Sequence, residues 1–532
     1  MIEEKISQAI LFLAVLFAVI IVVSNVIGFF WLNSAFILAA SIVIAFILFK
    51  KFKLKINPQK EIFLIALLLL ALLAYPIILI TGGYPSSIDA ISTSMLRILD
   101  GRIPLTHEPY TAVNLSYALG SPLVGNVFSE VINVIPQYLW PWMLGLIAGL
   151  FQIVFFSLLA AELFKNKKAG VFAATLFLLG KLVFENFYVG EMAWYLATGF
   201  MLCFLYLHLK SNKLQYLMFP VVFATHPITG FNLLVFMGIY ELFYKQKITE
   251  LIKLGLSLVL VLPLIAMAYL PIAYNLLFNR GNAIGISAQN FIVNIPSLPF
   301  WVGTGLTIVF AGLLLLSIKN KKIAVTKEQK FCWALFFTAI ILFGAFTFLG
   351  FMLSGKIVEL IIFSMTLLCT GFLIQTKLDK KKTIATIIII ILVAMVFFAT
   401  SSKLEHYREG SKISPDGIEF AKMIYEFDKE QKTVLFLTKE GGKMAEYSNK
   451  LPYDVTSGHT IVWFDFVYFQ DNAFKELKAK QALQKEIFEG KEVAKISDLN
   501  VSYIVTNKNE FSEKLNYPLI IEYKSYVLYR KS

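Results

Sequence analysis

Residues Glu61–Thr81 read EIFLIALLLLALLAYPIILIT, and a short step later Tyr84–Tyr110 read YPSSIDAISTSMLRILDGRIPLTHEPY. The first stretch has a charge only at its start. About 20 apolar residues in a helix rising about 1.5 Å each match the roughly 30 Å hydrocarbon core of a bilayer. The second stretch is polar and carries Asp89, Arg97, Asp100, Arg102, His107 and Glu108. A spanning helix that opens into a long charged loop predicts a membrane protein with chemistry at its edge.

Apolar runs of this kind recur from the N-terminus to about residue 400. They predict about 13 transmembrane helices, with cores at 9–31, 34–50, 61–81, 138–164, 169–186, 191–209, 214–226, 228–244, 252–278, 297–317, 331–350, 356–376 and 383–401. Thr225-His226-Pro227 marks a break between the seventh and eighth. The chain is 58% hydrophobic and 16% charged, which fits such a scaffold. From residue 403 the composition turns to that of a soluble domain. The expected organisation is a transmembrane domain over 1–402, with a first outer loop at 82–137, and a small α/β domain over 403–532.

The formal charge of +13 does not point to nucleic acid. The tail from residue 403 has 20 basic and 20 acidic residues, which leaves 28 and 15 for the membrane part. Of those 28 basic residues, 23 fall in one alternate set of loops and the N-terminal tail, and five fall opposite: Arg97, Arg102, Lys181, Arg280 and Lys356. The positive-inside rule puts the lysine loops in the cytoplasm. The Asp89 loop and the C-terminal domain are then extracytoplasmic, and the N-terminus is cytoplasmic. Cys203, Cys332 and Cys369 stand apart in apolar runs, so neither a disulfide framework nor a thiolate metal site is expected.

The outer face gathers Asp89, Asp100, Glu108, Glu191, His226 and the five basic residues. Carboxylates and cations at headgroup level suit one reaction in particular. A sugar on a lipid phosphate arrives from the bilayer and an acceptor arrives from outside. A carboxylate takes the acceptor's proton, and cations hold the departing phosphate. On this reading Asp89 is the base. Asp100, Glu108 or Glu191 supply a second carboxylate or ligate a divalent cation such as Mg or Mn. Arg102, His226, Arg280 and Lys356 bind the donor phosphate. Plainer roles fit the same residues. Asp89 stands where an N-cap would for a helix from Ala90. Asp100 before Gly101 suits a turn. His226 before Pro227 suits a span end. Glu359, three residues after Lys356, suits a helix-surface pair.

The arrangement resembles the GT-C glycosyltransferase superfamily, which includes protein mannosyltransferases, oligosaccharyltransferase catalytic subunits and lipid A aminoarabinose transferases. The features carrying the resemblance are span 61–81 leading into a large loop, Pro85 and Asp89 at its start, and the Gly101-Arg102-Ile103-Pro104 turn. To these are added Tyr117-Ala-Leu-Gly-Ser-Pro122, Asn186-Phe-Tyr-Val-Gly190 and Thr225-His226-Pro227-Ile228-Thr229-Gly230. The resemblance implies a polyprenyl-phosphate sugar as donor, a loop Asp as base, and a glycan, lipid or protein acceptor. The chain departs from the pattern at Ala90, where many members have Glu, and at Ser92-Thr93-Ser94, where archaeal members often have His. It has no Asp-x-Asp and no Trp-Trp-Asp. A membrane protein that binds lipid or glycan without transfer, or a lipid or solute transporter, is the alternative on the same scaffold.

In the tail, strands are expected at 433–438, 502–506, 519–523 and 526–529, helices at 417–427 and 472–488, and a hairpin at Lys524-Ser525. Lys439-Glu440-Gly441-Gly442-Lys443 lacks the spacing of a phosphate loop and is expected to be a turn.

Overall fold

The computed structural model describes residues 2–54, 56, 60–81, 101–103, 106–107, 110–114, 118–133, 145–180, 192–241, 248–278, 298, 302–319, 326–348, 354–375, 385–386, 389–390, 413–430, 432–453 and 471–531. Most of the expected span at 383–401 and most of the 82–137 loop lie outside the described residues, as does the 402/403 boundary.

The membrane part opens with α1 (Ile2–Ile27), α2 (Ser34–Lys51) and α3 (Lys60–Thr81). A short hairpin, β1 (Thr106–His107) and β2 (Tyr110–Asn114), precedes α4 (Gly120–Ile132). Then come α5 (Leu146–Leu163), α6 (Lys167–Phe177), α7 (Met192–Leu209), α8 (Gln215–Thr225) and α9 (Pro227–Ile239). The set closes with α10 (Ile248–Ser257), α11 (Leu262–Phe278), α12 (Thr304–Lys319), α13 (Lys327–Phe348) and α14 (Ser354–Gln375). Among the described residues, six helices are long and apolar enough to cross a membrane.

The centre of the bundle is aromatic. Phe156 of α5, Phe177 of α6 and Phe363 of α14 meet with ring centroids 4.9 to 5.7 Å apart. Phe151 of α5 touches Phe200 of α7 and Phe17 of α1. Helix α14 is apolar and buried nearly all round, as an inner helix must be. Helix α2 leaves Phe36, Val43, Phe46 and Ile47 exposed, the face expected to meet lipid tails.

The run expected as one span over 252–278 is interrupted. A 3₁₀ turn, Leu258–Val261, separates α10 from α11. Pro263 has no amide hydrogen, which frees the carbonyl of Val259 for the tighter bond from the Leu262 amide. Asn25 of α1 enters the gap. Its Oδ1 accepts the Leu264 N–H at 3.0 Å, and its Nδ2 donates to the Leu260 carbonyl at 3.1 Å. The wedge satisfies backbone groups that water cannot reach in a bilayer.

The first loop is pinned at its described middle. Leu32 N–H donates to the Gly101 carbonyl and Ile103 N–H to the Gly28 carbonyl, both at 2.7 Å. Gly101 has φ +66°, which suits a residue without Cβ. Ile103 is buried on the α1–α2 turn, and Arg102 between them is exposed.

The tail is an α/β unit built from α15 (Pro415–Phe427), β3 (Thr433–Leu437), α16 (Gly441–Tyr447), β4 (Leu451–Pro452), α17 (Asp471–Phe488), a 3₁₀ turn (Val493–Asp498), β5 (Tyr503–Asn507), β6 (Leu519–Tyr523) and β7 (Tyr526–Arg530). Its five strands run in the order β4-β3-β5-β7-β6. The β4–β3–β5 pairs are parallel and the β5–β7–β6 pairs antiparallel. One face of the sheet, with Val434, Phe436, Tyr503 and Val505, is covered by Ile418, Phe420 and Met444. The other, with Leu435, Leu437 and Ile504, is covered by Ile487 and Ile496. Lys524 sits at φ +54° in the β6–β7 turn, where the hairpin was expected. The glycine pair expected as a turn instead opens α16, with the position of a Gly441 Cβ only 2.6 Å from Phe436.

Lys450 anchors the approach to the sheet. Its buried Nζ donates to the carbonyls of Asp428 and Glu430. Lys429 reaches Asn133 at the end of α4 at 3.3 Å, and Leu451 packs on the membrane-helix core.

Candidate functional site

His226 is the hinge between α8 and α9. Its N–H closes α8 on the Val222 carbonyl, and its side chain caps α9, with Pro227 at the first helical position. Proline is at home there because that amide has no partner inside the helix. The imidazole Nδ1 accepts the Thr229 N–H at 3.2 Å and lies 2.9 Å from Thr229 Oγ1. An Nδ1 that accepts leaves the ring proton on Nε2. Among the described residues no hydrogen bond reaches that Nε2. His226 is buried, and its ring stacks on Trp194 of α7 at 6.0 Å and 15°.

Below this pair lies a carboxylate inside the bundle. Glu359 of α14 is fully buried. Its Oε2 accepts from Asn232 Nδ2 of α9 at 2.8 Å, and Thr198 Oγ1 of α7 donates to its Oε1. Thr198 Oγ1 also lies 3.0 Å from the Trp194 carbonyl, so its single proton is shared between the two acceptors. The contacts form a ring: Trp194 and Thr198 on α7, His226, Thr229 and Asn232 on α9, and Glu359 between them. The expectation that Glu359 lies on a helix surface is therefore corrected, and the side chain of Lys356, its expected partner, lies outside those described. The lining partners of Glu359 are 161 and 127 residues away, and no local pattern announces them. An ionisable group inside a span is costly unless hydrogen-bonded, and such groups concentrate at functional positions.

The segment returning from the first loop closes on the same point. A Cβ on Gly120, the first residue of α4, would lie 2.6 Å from Thr225 Oγ1 and 2.9 Å from the Ala224 carbonyl. Only glycine allows α4 to start that close to His226. Lys356 lies in the first turn of α14, one turn before Glu359. Arg102 stands exposed on the loop pinned to the α1–α2 turn. Asp89, Asp100, Glu108, Glu191 and Arg280 lie outside the described residues. Among the described residues no group of three or more His, Cys, Asp and Glu side chains could hold a metal ion.

The opposite end of α7 carries a second buried polar group that the sequence reading missed. His208, about 21 Å along the helix from Trp194, bonds through Nε2 to Glu241 and through Nδ1 to Gln215, both at 2.6 Å. All three side chains are buried. In sequence His208 reads only as a polar residue closing a span.

No family model matches the sequence, and no curated protein matches it either. Solved structures do. The chain is similar to ArnT from Cupriavidus metallidurans bound to undecaprenyl phosphate, with a TM-score of 0.52 at 11% identity over 88% of this chain and 98% of that one. It also matches an oligosaccharyltransferase from Archaeoglobus fulgidus in complex with zinc and sulfate, with a TM-score of 0.44 at 12% identity over 84% of this chain and 68% of that one. The first likeness runs through nearly all of both chains and shows the fold. The protein is a polytopic helical membrane protein with a C-terminal α/β unit, and it shares the fold of that ArnT.

Proposed function

We propose that this GT-C membrane protein transfers a sugar from a polyprenyl-phosphate donor to a glycan, lipid or protein acceptor at the extracytoplasmic face. The observation that carries the reading is the fold match to a protein holding undecaprenyl phosphate. The local chemistry supports it. A neutral imidazole with its proton on Nε2 is a hydrogen-bond donor to a phosphate oxygen, and it is fixed by its cap bond to Thr229. Lys356 begins a helix that packs on α9. With Arg102 and Arg280 it would complete the clamp on the phosphate.

In this reading Asp89 removes the proton from the acceptor hydroxyl or amine. The freed lone pair forms the new bond at the anomeric carbon. The bond from that carbon to the phosphate oxygen breaks, and polyprenyl phosphate leaves as the anion. One displacement inverts the anomeric configuration. A second carboxylate or a divalent-cation ligand would come from Asp100, Glu108 or Glu191. The Asp89 loop and the C-terminal unit face outward, and the lysine-rich loops face the cytoplasm.

The test is release of polyprenyl phosphate from labelled polyprenyl-phosphate sugars by the purified protein in lipid nanodiscs, across a panel of acceptors. Asp89→Asn should abolish release and leave donor binding intact. Release at the wild-type rate removes Asp89 as base. Tight donor binding with no transfer to any acceptor replaces the enzyme with a lipid-glycan binder.

A further inference from the structure

We propose that Glu359 is the positioning residue of the donor site: it ties α7 to α9 one turn below the Trp194–His226 pair and so fixes that pair. The inference rests on the reading of this pair as part of a polyprenyl-phosphate site. Glu359 holds Asn232, which follows the capped Thr229 by three residues on α9, and Thr198, which follows Trp194 by four on α7. Residues at those spacings share a helix face. The carboxylate therefore sets the rotation and depth of both helices at the point where their rings meet.

The contacts predict which substitution is tolerated. Glutamine has the same shape, its Oε1 can accept from Asn232, and its Nε2 can donate to Thr198 Oγ1. The Thr198 hydroxyl keeps its own proton for the Trp194 carbonyl. Alanine removes both ties and leaves Asn232 and Thr198 facing a cavity. Groups that orient ligand-binding side chains from behind act this way, by changing placement rather than contact.

The test uses the full-length protein in lipid nanodiscs as wild type, Glu359→Ala, Glu359→Gln and Leu367→Ala. Leu367 is a fully buried residue two turns further along α14 and controls for general loosening. Two quantities are measured: backbone amide exchange over residues 226–232, and affinity for undecaprenyl phosphate alone. In E359A the amides at the start of α9 should exchange at least about tenfold faster, and affinity should fall about tenfold. E359Q should stay within about threefold of wild type in both, and L367A should leave the α9 amides unchanged. The inference is overturned if L367A opens α9 as far as E359A does, if E359A leaves α9 exchange unchanged, or if E359Q behaves like E359A. If wild type binds no undecaprenyl phosphate, the donor reading fails, and the exchange data alone decide the role of Glu359.

Discussion

The indole of Trp194 and the imidazole of His226 lie almost parallel, 6.0 Å apart, with His226 committed through Nδ1 to the first turn of α9. One ring nitrogen thus serves the fold, and on the proposed reading the other meets the donor phosphate. Substitution separates the two. His226→Asn keeps a good helix cap, so the melting temperature should hold, because Asn ranks among the best caps. It withdraws the Nε2–H, so affinity for undecaprenyl phosphate should fall. His226→Ala should lose both, with about 1 kcal/mol of stability gone with the cap. Paired melting curves and binding isotherms check this. Unchanged affinity in the Asn variant would remove His226 from the phosphate site.

Gly120 is held to glycine by contact. Gly120→Ala places a methyl 2.6 Å from Thr225 Oγ1 and 2.9 Å from the Ala224 carbonyl. Overpacking of this kind costs about 1–3 kcal/mol. It should also push α4 off the His226 hinge. The expected result is a lower melting temperature together with faster amide exchange at residues 225–229.

His208 and Glu241 form a buried hydrogen-bonded pair, each satisfying the other's polar atoms. His208→Ala leaves Glu241 buried without this partner and should cost about 1–3 kcal/mol. Replacing both by leucine should restore most of the loss, since two apolar groups of similar volume strand no polar atom. A double-mutant comparison of melting in detergent measures it. Equal loss in the single and double variants would show that the pair is not the source.

The tail carries its own pH dependence. Burial alone would raise the Asp428 carboxyl, but the Tyr503 hydroxyl at 2.6 Å, the Glu430 amide, Lys450 and Lys432 outweigh it and hold the group below the usual carboxylate range. A depressed carboxyl adds stability above its unfolded pKa and loses it as pH falls through the folded value. Sheet stability should therefore drop on acidification below about pH 4. Tyr503→Phe should shrink the acid drop, because the folded carboxyl moves back toward its unfolded value, and cost about 1 kcal/mol at neutrality. Burial pushes Lys450 down to about 8. Between that value and the ordinary lysine range the unfolded chain binds more protons, so the Lys450 contribution rises with pH across the window. Lys450→Met should flatten that alkaline rise. Exchange of the β5 amides in the full-length chain reads both limbs.

Much of this was legible from residues alone. Spans 34–50 and 61–81 became α2 and α3 nearly residue for residue, because length and apolarity decide a span. Thr225-His226-Pro227 ended one helix and began the next, as proline after a non-helical residue requires. The 3₁₀ break before Pro263 was passed over. An apolar run has no visible period, and the Asn25 that stabilises the break lies 235 residues away. The tail's four longer strands were readable from their β-branched and aromatic content. The two-residue β4 and the short α16 were not, since each is held by its neighbours rather than by its own pattern. Glu359 was misplaced for the same reason. A lone acid near a lysine looks the same on a surface and in a core.

The Asn25 wedge bears on how the chain is made. A nascent α10–α11 segment entering the membrane by itself would carry a bare Leu260 carbonyl and Leu264 amide into hydrocarbon, at several kcal/mol for each group. The side chain that relieves them lies 235 residues earlier in the chain, on a helix synthesised well before this segment. Helix α1 is thus an early-arriving template for a later one, and synthesis order is part of what makes the broken span affordable. A chain without α1 should stall with that segment outside the bilayer or in the hands of the insertion machinery.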